Sequence, residues 1–137
     1  MVAVNVPLIV AGALATLAAA IHGGAGEALV VRKLSSAPLP PTRFGGSQST
    51  LLMIQVTWHL TTVAFITAAT ALLLAGSVLE GDAAHAVALL GAGAATGFAA
   101  VTLGLGVASN RSLHALIRHP APIVLTATAL LAWWGAV

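Results

Sequence analysis

The chain has 137 residues, of which 59% are hydrophobic and 6% charged. A soluble domain carries about 25% charged residues, so the composition excludes a water-covered globule and points to a hydrocarbon solvent. Five Lys and Arg against three Asp and Glu form no dense basic patch for nucleic acid, and the lack of Cys removes disulfides, thiolate metal sites and cysteine nucleophiles.

Four apolar runs follow in chain order, each read against the roughly 20 residues that a helix needs to cross a bilayer. The first predicted helix covers about 5–31, entering near Val6 and continuing past Ile21 through His22 and Glu27. Ala18-Ala19-Ala20 matches a signal-peptidase pattern, but no basic segment precedes it, so the run reads as a retained span. Pro38, Pro40, Pro41, Gly45 and Gly46 then break helix between Ser35 and Ser49. The second predicted helix covers 50–77 and carries Gln55 and His59. A short turn from Gly76 to Ala84 holds Glu80 and Asp82. The third covers 85–108, and its stretch from Ala86 to Ala108 has no ionisable group. Gly93, Gly97, Gly104 and Ala108 follow a small-residue spacing suited to close helix packing, with Gly93-xxx-Gly97 a GxxxG match. After a polar connection from Asn110 to His119, Pro120 and Pro122 suit the first turn of a fourth helix over 119–136.

These runs lack the alternation of barrel strands and exceed their length. A bilayer leaves no free backbone amide satisfied, so helices are the expected form. The predicted fold is all-α: one four-transmembrane-helix bundle spanning 1–137. Arg32, Lys33 and Arg43 lie in the first connection and Arg111 and Arg118 in the third, while the middle turn has no basic residue. That asymmetry places loops 32–49 and 109–119 in the cytoplasm and both termini extracytoplasmic, with Trp133 and Trp134 at the outer interface. Asn110-Arg111-Ser112 fits the glycosylation pattern but falls in a predicted cytoplasmic loop.

Ionisable groups inside a bilayer are costly, about 2.5–3.5 kcal/mol at a helix centre, and mark candidate sites. His22 lies ten residues inward of Arg32, and His59 ten residues inward of Ser49. Both are about 15 Å deep at helical rise, a depth-matched pair on consecutive helices. Gln55, His59 and Thr62 share a face expected to turn inward, with Trp58 beside it. His22 and His59 are read either as structural hydrogen-bonding groups or as proton carriers or ligands of haem or a divalent metal. Glu27 is read as a partner of Arg32, Lys33 or His22, or as a protonatable carboxylate beside His59. His114 and His119 are expected at the interface, His119-Pro120 equally as a helix start. No Ser-His-Asp set, HExxH or phosphate-binding glycine loop is present. An intramembrane acid–base site of His22, Glu27 and His59 is the remaining enzymatic alternative.

His22 with Gly26-Glu27, Trp58-His59 and His119-Pro120 resembles a group of small, uncharacterised bacterial four-helix integral membrane proteins. The resemblance implies an inner-membrane architecture and no particular activity. In size the chain is also similar to small multidrug-resistance transporters, dimers of four-helix subunits with an essential glutamate in the first helix. Glu27 is the one counterpart here. It lies nearer the opposite end of its helix, and the strong charge asymmetry differs from the dual topology of that family.

The expected function is a non-enzymatic membrane protein that works as a homo-oligomer or as an accessory subunit of a larger membrane complex. A proton-coupled transporter or channel and a haem- or metal-binding membrane protein are the alternatives.

Overall fold

The computed structural model describes residues 4–110 and 119–137. Helix α1 spans Val6–Ala20, started by Asn5, whose side chain accepts from the Leu8 amide. It runs on through a π-turn at Ile21–Ala25, a short helix α2 at Gly26–Leu29 and a 3-10 turn at Val31–Lys33. Helix α3 spans Gly46–Ser77, α4 Gly81–Asn110 and α5 Pro120–Ala136. Regular structure among the described residues is all helical, apart from one isolated bridge between Thr42 and Gly46.

Three helical stretches, Val6–Lys33, Gly46–Ser77 and Gly81–Ala108, are long and apolar enough to cross a membrane. The fourth, Pro120–Ala136, is apolar and 17 residues long. At helical rise that is about 25 Å, slightly less than a typical hydrocarbon core.

α1 packs against α3 and α5, and α4 closes the ring against the same two helices. Because every helix is apolar all round, polarity cannot select the inward face. Size selects it instead. Ala11, Ala15, Ala19, Ala68, Ala75, Ala88, Ala92, Ala95, Ala99, Ala132 and Ala136 are buried, while Leu17, Leu60, Val63, Leu90, Val101 and Leu130 point outward. In lipid, helices gain nothing from hiding a leucine, so small residues that let backbones approach form the seam. Two layers result. One joins Leu8, Ala11, Leu72, Ala75, Ala88, Ala92, Ala132 and Ala136 near the Asn5 end, and the other joins Ala19, Phe65, Ala99 and Leu125 nearer the loops.

Asn5 fastens three helix ends together. Its amide N–H donates to Gly76 O at 2.9 Å and its side-chain Nδ2 to Gly135 O at 2.8 Å, while Oδ1 caps α1.

Two helices start earlier than the sequence suggests. α3 begins at Gly46 rather than at residue 50, because Gly46 adopts a φ of 65°. The loop carbonyls of Leu39 and Pro40 also accept from the Ser47 and Thr50 hydroxyls. α4 begins at Gly81 rather than at residue 85, since Gly81, at φ 58°, turns the chain within three residues of α3. Both turns use a left-handed conformation that glycine adopts without steric cost.

A candidate functional site at the loop end of the bundle

The first span is not a plain α-helix where its polar residues lie. Ile21–Ala25 forms a π-turn holding His22. Such turns are rare and recur at functional sites. Two glycines around it bring the backbone close to α3. A Cβ on Gly23 would lie 2.6 Å from Thr62 Cγ2, and one on Gly26 would overlap the Trp58 indole.

His22 is held from three directions. Its ring stacks on Trp58, with centroids 4.1 Å apart and planes 16° from parallel. Phe65 meets it edge-on at 5.3 Å, and Phe98 of α4 meets Phe65 at 4.5 Å. Trp58 Nε1–H donates to the His22 carbonyl at 3.2 Å, supplying a donor where the π-turn interrupts the helical ladder. His22 Nδ1 lies 3.0 Å from Thr62 Oγ1. The Thr62 hydroxyl gives its own proton to Trp58 O at 3.2 Å, the usual back-bond of a helical threonine. Both Thr62 contacts are satisfied together when Nδ1 carries the imidazole proton and donates to Oγ1, the tautomer assigned to His22, which leaves Nε2 with a lone pair.

Glu27 and His59 occupy the next turn. Glu27 Oε1 is 3.4 Å from Arg32 Nε, and Oε2 is 3.7 Å from His59 Nε2. Oε2 is buried and accepts no hydrogen bond. His59 does not turn inward with Thr62: its side chain is 60% exposed, and Gln55 is half-buried one turn away. The face of Gln55, His59 and Thr62 is split because α1 covers the Thr62 edge and leaves the His59 edge beside the seam.

The structure thus brings together Trp58, Thr62 and His22, and separately Glu27, His59 and Arg32. The two depth-matched histidines have different partners, Thr62 for His22 and Glu27 for His59. Among the described residues, no three His, Asp or Glu side chains are grouped to hold a metal ion. Phe65 carries no polar signal in the sequence, although it follows Trp58 and Thr62 at helical spacing and completes their face. Phe98 has no such spacing.

His119 caps α5, its Nδ1 accepting from the Ala121 amide at 3.2 Å, as its position before Pro120 suggests. His114 and Arg118 lie outside the described residues. Among the described residues, a Cβ on Gly93, Gly97 or Gly104 would meet nothing within 4 Å, so these glycines face outward from the described bundle. The inward face of α4 is built from Ala88, Gly91, Ala92, Ala95 and Ala99 instead. Trp133 donates its indole N–H to Thr96 of α4 at 2.9 Å, and Trp134 remains exposed.

On the flank of α3 opposite His59, a cleft of about 470 Å³ runs from Thr42 in the first loop past Thr50, Ile54 and Thr57 to His22 and Trp58. No family model, curated protein or solved structure matches this chain.

Proposed function

We propose that this chain is a non-enzymatic subunit of the bacterial inner membrane, completed by a second copy of itself or by a larger membrane complex. In this reading all four helices span the bilayer, both termini are extracytoplasmic, and loops 32–49 and 109–119 face the cytoplasm, as the basic residues suggest. The observation that carries it is His59, exposed over 60% of its side chain beside the Glu27 carboxylate. At about 15 Å from Ser49, that imidazole would face acyl chains in a lone bundle, and ionisable groups there are unfavourable by a few kcal/mol. A covering helix removes the penalty. The outward Gly93, Gly97 and Gly104 stripe supports the same reading, because small residues admit a neighbouring helix closely.

The chain has no native Cys, so single cysteines report contacts cleanly. Gly97→Cys and His59→Cys should form a cross-linked species in native membranes. A strictly monomeric chain without any co-purifying partner in mild detergent would overturn the proposal.

A second reading, proton-coupled transport, is favoured by the buried, unbonded Glu27 Oε2 at 3.7 Å from His59 Nε2. A small approach would let one proton pass between them. Glu27→Gln and His59→Ala should each abolish a pH-dependent flux in proteoliposomes at unchanged expression. Flux that survives both substitutions removes this reading.

A further inference from the structure

The geometry points to the cleft ending at His22 as a binding site for a membrane-soluble hydroxyl compound with an apolar tail, whose O–H donates to His22 Nε2. This inference stands apart from the oligomer proposed above, since the cleft and His59 lie on opposite flanks of α3.

Three observations converge. First, the tautomer that satisfies both Thr62 contacts places the imidazole proton on Nδ1, and in that tautomer Nε2 is an acceptor. Second, Nε2 has no partner and is not among the buried unpaired atoms, so among the described residues it is open. His22 also lines the cleft. Third, the cleft suits an amphiphile in size and character. Its volume of about 470 Å³ falls in the range of small-molecule sites. Met53 and Ile54 supply apolar wall, and Trp58 supplies an aromatic surface beside His22. From Thr50 to Thr61 the wall is about 16 Å long at helical rise, enough for a ring or a medium-length chain.

An acceptor at the end of an apolar cleft selects for a donor hydrogen. A ketone, ether or quinone would set lone pair against lone pair. An alcohol or a hydroquinone satisfies both Nε2 and itself.

The test uses the whole chain in phospholipid nanodiscs and three probes: decyl hydroquinone, its dimethyl ether, and 1-dodecanol. Bound probe is quantified after equilibrium dialysis. At least one hydroxyl probe should bind about tenfold more tightly than the ether. A preference for the hydroquinone identifies an aromatic headgroup, and a preference for dodecanol an aliphatic alcohol. His22→Phe should remove the preference over the ether. Ile54→Trp, which fills the cleft and leaves His22 in place, should remove binding altogether while the protein stays folded by circular dichroism. Equal binding of the ether and both hydroxyl probes, failure of both hydroxyl probes to bind, or undiminished binding by Ile54→Trp would each overturn the assignment.

Discussion

Thr62 is the residue on which the His22 arrangement turns. Its hydroxyl donates to the carbonyl one turn back and so offers its oxygen to the next helix. Thr96 repeats the device: it donates to Ala92 O at 2.8 Å and accepts the Trp133 indole N–H. In each case an aromatic donor from one helix is satisfied on another without a buried charge. Thr62→Val keeps the shape and removes the acceptor. We expect a loss of about 1 kcal/mol in stability and, by nitrogen NMR of His22, a move from the Nδ1–H tautomer to a mixture. An unchanged tautomer would mean that another group holds the ring. Gly26 is equally constrained, since a Cβ there would overlap the Trp58 indole. Gly26→Ala should destabilise the bundle by about 1–3 kcal/mol, and denaturant titration with Trp58 emission as readout would measure it.

The helices hold one another through their ends as much as through their faces. α1 begins at Asn5 because the side chain caps it, and the same residue reaches the last turns of α3 and α5. Asn5→Ala leaves the backbone bond to Gly76 but frees the Leu8 amide and the Gly135 carbonyl. Removing an N-cap costs about 1 kcal/mol, and the second bond adds a similar amount. Hydrogen exchange should therefore quicken at both the first turn of α1 and the last turn of α5, and quickening at α1 alone would show that the Gly135 bond contributes nothing. The π-turn acts at the same scale. By interrupting the regular ladder at Ile21–Ala25 it carries Gly26 and Glu27 round to α3, so that one stretch presents both His22 and Glu27 to the same helix.

For the whole molecule, two glycine-bearing faces of α4 have opposite consequences. Gly91 faces Leu72 so closely that a Cβ would come within 2.7 Å of it. Gly97 faces open space. Gly91→Leu should prevent proper folding, whereas Gly97→Leu should leave the isolated bundle intact and weaken any association through that face. Size-exclusion chromatography in mild detergent distinguishes the two. A folded Gly97→Leu protein that associates as the parent does would place the interface elsewhere.

How much of this was legible beforehand differs by kind of residue. The helical class and the three long apolar runs are written in the chain itself. Runs such as Leu51–Leu79 have too few polar groups for water and too many residues for a strand, and a backbone that must satisfy itself can only coil. His119 before Pro120 likewise announced a cap through local chemistry alone. The inward faces were not legible, because nearly every face is apolar and no period marks one side. The GxxxG match at Gly93 and Gly97 lies outside the described packing, while the less regular Ala88, Gly91, Ala92, Ala95 and Ala99 lie within it. The polar residues show the same division. Sequence placed His22 and His59 at one depth because rise per residue is constant. Only the packed structure set His22 on Trp58 and Thr62 and left His59 beside the seam with Glu27. Depth along a helix follows from counting residues, whereas rotation about its axis depends on the π-turn and on which small residues the neighbouring helix happens to meet.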